Sequence, residues 1–122
     1  MSFDWSHYLV IAEELFVEAV DTAHKEASLR CSISRAYYSA FHHARHKLYD
    51  KWNISVSENA FAHAQVQNLF KQRKEKDLAW KLKYMRSARN KVDYDDQLVD
   101  LETTAQEVLN LAREVIEALG KL

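Results

Sequence analysis

Proline is absent from this chain, and its one glycine, Gly120, stands third from last. Hairpins and tight turns draw on those two residues for backbone angles that others adopt poorly. A sheet-rich fold would lack its punctuation, so an all-α fold is the economical solution. At 122 residues the chain is about one domain long, and a single domain over 1–122 is expected. A domain of that size buries roughly two-thirds of the surface its unfolded chain exposes, enough for one core.

Apolar spacing places the helices. The first is expected from about Asp4 to Ala23, with Ser2 or Asp4 near its start as an acceptor for free N–H groups. Trp5, Tyr8, Leu9, Ala12, Leu15, Phe16, Ala19 and Ala23 form its stripe, and Glu13, Glu14, Glu18 and Asp21 lie away from it. A long helix follows from about Ser28 to Trp52, then a loop over Asn53 to Asn59. There Ser55-Val56-Ser57-Glu58 has capping-box spacing. A short third helix from Glu58 to Lys71 carries a patchy stripe of Phe61, Ala64, Gln65, Leu69 and Phe70, and is expected to lie against the bundle. Gln72 to Asp77 is a charge run, read as a solvated turn with a phosphate-binding patch as the alternative. The fourth helix runs from Asp77 to Lys91 with Leu78, Leu82 and Met85 inward. The last runs from Val99 to Leu119, and Gly120 is its natural stop.

The long helix has two faces that ask for cover. Ile33, Tyr37, Ala40, Phe41, Ala44 and Leu48 make an ordinary core stripe. Opposite them stand Cys31, Arg35, Tyr38, His42, His46 and Tyr49, where a plain surface helix would show Lys, Glu and Gln. This is therefore the central helix, or one whose second face meets a partner or ligand.

On the fourth helix Arg89 stands two turns after Leu82 and points where the stripe says the core is, with Arg86 on its border. A guanidinium there needs a partner, because burying an unpaired charge costs several kcal/mol. Asp93, four residues on, can supply one. A structural Arg89–Asp93 pair and a functional arginine in a groove are both open.

Taken together, Ser34-Arg35-Ala36-Tyr37-Tyr38-Ser39-Ala40-Phe41-His42, a downstream His63 before Phe70, and Arg89-Asn90-Lys91-Val92-Asp93-Tyr94 resemble the HEPN superfamily of helical bundles. The resemblance covers nearly the whole chain. It implies a four- to five-helix up-and-down bundle that forms a homodimer, with polar residues beside the dimer cleft. Many such proteins are paired with a small nucleotidyltransferase in toxin–antitoxin-like or defence systems. Active members are metal-independent ribonucleases in which a histidine follows the arginine by four to six residues. The imidazole moves a proton while the guanidinium holds the phosphate. Here no histidine follows His63, and a tyrosine of ordinary acidity near 10 accepts protons poorly.

The expectation is thus a partner subunit without the usual nuclease activity. The alternative is a divergent endoribonuclease acting on RNA through Arg89 with Tyr94, or with His42 or His63, at the dimer cleft. Arg35, Tyr38, His42, His63, Arg86 and Asp93 are the expected binding residues for RNA or a nucleotide. Tyr94 is read as a tyrosine pinning the loop before the last helix, or as an acceptor that the nucleotidyltransferase modifies.

No cofactor is implied. His42 and His46 have the spacing of a metal-ligand pair but no third ligand at recognisable spacing, and are read as groove histidines. His7, His24 and His43 are read as surface residues, and Cys31 as a small half-buried side chain in a reducing, cytoplasmic setting. Seventeen basic residues against 18 acidic ones give a net charge of −1. Bulk attraction to nucleic acid is therefore not expected, though a local patch stays open. No apolar run approaches the roughly 20 residues that span a bilayer, and Met-Ser-Phe-Asp-Trp lacks a basic region followed by an apolar core, so a soluble, unexported protein is expected.

Overall fold

The computed structural model describes residues 3–19 and 24–122. Five helices succeed one another: α1 (Ser6–Glu18), α2 (Lys25–Trp52), α3 (Ala62–Gln72), α4 (Lys76–Tyr94) and α5 (Leu101–Gly120). No strand occurs among the described residues, and the all-α expectation holds.

The 28-residue α2 packs against every other helix, and at 1.5 Å per residue it is about 42 Å long. All six residues of its expected inner stripe are buried. Three alanines at four-residue spacing, Ala36, Ala40 and Ala44, are fully buried and let neighbouring helices approach closely. Two serines sit fully buried beside that stripe. Ser32 donates to the carbonyl of Ala12 at 2.7 Å, and Ser39 to that of Trp5 at 2.8 Å, which ties α1 to α2 in a fixed register. Such bonds matter because a buried hydroxyl without a partner would cost about 1–3 kcal/mol.

α2 stops at Asn53, whose left-handed φ of 55° turns the chain while its N–H reaches the Tyr49 carbonyl at 2.8 Å. Asparagine tolerates that angle far better than most residues. α5 buries Ala105, Val108, Leu109, Ala112, Val115 and Leu119, in keeping with its regular stripe. On α4 the buried set of Leu78, Leu82 and Met85 extends to Ala79, Ala88 and Val92.

The short third helix differs from expectation. It begins at Ala62 rather than Glu58, because the predicted capping box does not form. Asn59 Oδ1 instead accepts from the N–H of Phe61 at 2.9 Å and from Ser57 Oγ at 3.0 Å, while Glu58 reaches Arg45 at 3.1 Å. Its buried positions are Ala62, Val66 and Phe70, and Phe61 is exposed. The helix lies chiefly on α4, at the side of the bundle.

Asp4 Oδ1 accepts from the Ser6 N–H at 3.0 Å, as a residue near the start of α1 should. Ser2 and the expected end of that helix at Ala23 lie outside the described residues. The 72–77 charge run spans the end of α3, a short turn over 73–75 and the start of α4, with Lys74 at a positive φ of 65° and Arg73 over the ring of Trp52 at 5.1 Å. No described helix is long and apolar enough to cross a membrane.

Candidate functional site

Polar groups from α2, α3 and α4 meet around Tyr37. This residue is part of the core stripe and almost wholly buried, but its hydroxyl reaches Nδ1 of His63 on α3 at 2.5 Å. Burial pushes the Tyr37 pKa up against the opposing pull of Arg89 and Arg86, so the phenol keeps its proton. His63 moves the other way, down to about 4, chiefly through burial and then through the charges of Arg89 and Arg86. Where the phenol donates to Nδ1, the neutral imidazole carries its own proton on Nε2.

Above this pair, Arg89 projects from α4 onto α2. Its side chain is only 11% exposed, and its guanidinium carbon lies 5.5 Å from the ring centre of Tyr37 and 5.4 Å from that of Tyr38. Planar guanidinium groups suit such aromatic faces. Arg89 Nη1 lies 3.6 Å from Asp93 Oδ2, while Nε is buried without a partner among the described residues. The pair with Asp93 that the sequence allows is thus present, and the same side chain lies among aromatic groups. Arg86 borders the same side and donates to Gln67 Oε1 at 3.4 Å.

His42 extends the cluster toward α1. Its ring stacks on Trp5 with centroids 3.5 Å apart and planes 10° from parallel, and lies 6.3 Å from the Tyr38 ring. Burial, followed by the nearby Arg45 and histidines, lowers its pKa to about 4. Together with Arg45, His46, Tyr49 and Glu58, His42 borders an open cleft of about 480 Å³. No group of three or more His, Cys, Asp or Glu side chains fit to hold a metal occurs among the described residues.

Arg89, Tyr38, His42, His63, Arg86 and Asp93 therefore fall in one region. Arg35 is exposed, with its guanidinium 5.3 Å from the ring centre of Tyr8 on α1, which packs edge-on against Trp5 at 4.9 Å. Tyr94 is 78% exposed at the end of α4, so it does not pin the following loop. Five residues after Arg89, it is turned well away from that side chain. Cys31 is exposed rather than half-buried. His43 is no surface residue: its Nδ1–H donates to the Ser39 carbonyl at 2.7 Å, and Nε2 accepts from Ser6 Oγ at 3.1 Å.

Three contributors escape sequence reasoning. The hydroxyl of Tyr37 looks like a core tyrosine's tip, and Trp5 reads as one more stripe residue. Arg30 reads as one more helix charge, yet it donates to the carbonyls of Val92, Asp95 and Asp96 at 2.8, 2.7 and 3.1 Å. It thereby fixes the segment that follows Arg89. Its presence within an otherwise periodic helix gives no signal of a bond to residues more than sixty positions away.

A helical bundle whose central helix turns tyrosines and histidines toward an inward arginine of the fourth is the class that fold and site define. Residues 5–122 match the family model described as the HEPN domain, and the chain belongs to that family. No curated protein matches it.

Proposed function

We propose that this HEPN domain is the dimeric, non-nucleolytic partner subunit of a nucleotidyltransferase or of another toxin–antitoxin or defence component. The observation that carries this reading is the engagement of His63. Its Nδ1 is engaged by the Tyr37 hydroxyl at 2.5 Å, and when the phenol is the donor the neutral ring's own proton sits on Nε2. A general base needs a free lone pair in reach of the substrate hydroxyl, and an imidazole that accepts from Tyr37 in this way has none to offer. Arg89 is likewise occupied, with its guanidinium carbon within 5.5 Å of two tyrosine ring centres and Nη1 3.6 Å from Asp93. Both groups hold the three-helix junction together. Tyr94, exposed beside the arginine motif, is the acceptor the partner enzyme would modify. Incubation with ATP and that enzyme, followed by mass spectrometry, tests this, and an unmodified Tyr94 peptide ends the idea.

A second reading, a metal-independent endoribonuclease, draws on the unbonded Nε–H of Arg89 and on the two guanidinium groups of Arg86 and Arg89 near His63. Two cations at one edge suit a phosphate. Incubating the purified chain with total RNA in EDTA separates the two: intact RNA supports the partner subunit, whereas cleavage that disappears in Arg89→Ala supports the enzyme. Light scattering tests the dimer that both require, and a monomeric mass would remove the shared cleft.

A further inference from the structure

Half a turn around α4 from Arg89, nine residues earlier, Trp80 stands 57% exposed. Tryptophan is highly buried on average, and this much open indole is a feature to explain. The ring is held in place: Tyr84 backs it with centroids 5.7 Å apart, and the Tyr84 hydroxyl donates to Glu107 at 2.6 Å. Beside it, between α3 and α4, lies a hollow of about 340 Å³ bordered by Gln67, Asn68, Lys71, Lys76, Trp80 and Lys83. The hollow's lining carries three ammonium groups and, among the described residues, no carboxylate.

Those charges are uncommitted. Lys71, Lys76 and Lys83 enter no ion pair among the described residues, whereas neighbouring Lys81 is held by Asp77 at 2.8 Å and Glu114 at 3.1 Å. From Lys71 to Lys83 the chain has six basic and two acidic residues, against a net charge of −1 overall. The local field is therefore positive on a molecule that is otherwise balanced. An immobilised aromatic face beside free lysines is the combination that binds single strands, because bases stack on the ring while phosphates meet the cations. One amide side chain, Asn68, borders the same hollow and matches the polar edge of a base, while Gln67 is engaged by Arg86 through its Oε1 at 3.4 Å.

We propose that this surface binds single-stranded nucleic acid, one base resting on Trp80 and the flanking phosphates on Lys71, Lys76 and Lys83. Trp80 and the three lysines take no part in the contacts of the Arg89 cluster, and the site stands whether that cluster is catalytic or not.

The test is fluorescence anisotropy of a fluorescein-labelled twelve-nucleotide oligouridylate titrated with the full chain at several salt concentrations. Combined Lys71→Gln, Lys76→Gln and Lys83→Gln substitution is expected to weaken binding tenfold or more. It should also reduce the slope of log affinity against log salt by about 2, because three fewer phosphates of a single strand are neutralised. Trp80→Ala should cost about tenfold, in line with loss of one stacked base, and Trp80→Phe should retain most of the affinity. Lys47→Gln, Lys51→Gln and Lys121→Gln together remove equal charge elsewhere and should change affinity less than threefold. Circular dichroism melts confirm that each variant is folded. Absence of binding, or equal losses from the two lysine triples, overturns the proposal. Binding that needs the lysines but ignores Trp80→Ala also overturns it, because phosphates would then be attracted with no base stacked on the indole.

Discussion

Tyr37 and His63 share one short hydrogen bond, 2.5 Å from hydroxyl to Nδ1, and that bond joins the central helix to α3 inside the reach of two arginines. Both groups are held neutral, and the stability of the fold acquires a pH dependence with a definite sign. Folded His63 takes up a proton only near pH 4, but in the unfolded chain it does so near 6.5. Between these values the unfolded state binds more protons, so stability rises with pH. The contribution is complete above about pH 6.5 and drains away as pH falls through 4. His42, also lowered to about 4, acts in the same direction. Thermal midpoints should therefore drop between pH 7 and pH 4.5, and His63→Gln should flatten that drop. A variant with the unaltered slope would show that His63 is not its source.

Arg89 is predicted to be a structural keystone as well as a site residue. Removing it strips the cover from two tyrosine faces and leaves Asp93 unpaired. Each cation–aromatic contact contributes about 0.5–2 kcal/mol depending on desolvation, so Arg89→Ala should lower stability by about 2 kcal/mol. Arg89→Lys should recover less than half, because an ammonium lacks the broad, delocalised guanidinium that lies near both rings. The same substitution to alanine removes a charge that opposes protonation of His63, and the His63 pKa should rise. Denaturant unfolding reads the first effect and proton NMR titration the second.

Periodicity makes the helices and their inward faces legible, and with them the direction of Arg89 and its pairing with Asp93. Those are properties of single helices, in which angle follows from position. The links between helices are another matter. Nothing in residue spacing tells how α2 and α3 cross, and that crossing decides whether the Tyr37 hydroxyl finds His63 or water. The start of α3 is hidden for a related reason: Ser57, Asn59 and Gln65 form a local network that competes with the Ser55–Glu58 box, and Glu58 is drawn off by Arg45. Cys31 and Phe61 depart from their expected places because an apolar side chain can sit at the surface without penalty large enough to prevent folding.

Arg30 is expected to govern the order of the segment after the arginine motif. Three carbonyls, from Val92, Asp95 and Asp96, depend on its guanidinium. Arg30→Ala should cost about 1–3 kcal/mol, the range for a charged hydrogen-bonding group. Amide hydrogen exchange should quicken from Val92 to Gln97 while the centre of α4 around Leu82 keeps its protection. Uniform acceleration along the helix would mean that Arg30 supports the whole bundle rather than this segment.

Trp5 should be what keeps His42 neutral. The indole covers the imidazole at 3.5 Å, nearly parallel, and burial is the largest cause of the lowered pKa. Trp5→Ala opens that face to water, and the His42 pKa should climb from about 4 toward the ordinary 6.5 of an exposed imidazole. The Trp5 carbonyl that accepts from Ser39 belongs to the backbone, so the tie between α1 and α2 survives the substitution. Loss of a half-buried indole should still cost about 1–3 kcal/mol, below the 3–5 seen for a fully buried one. In Trp5→Phe a smaller ring remains in place, and an intermediate pKa is expected. A titration curve for His42 that stays at 4 in Trp5→Ala would transfer the desolvation to Tyr38 and Phe41, and the aromatic cover from α1 would then have no part in the charge state of the cleft.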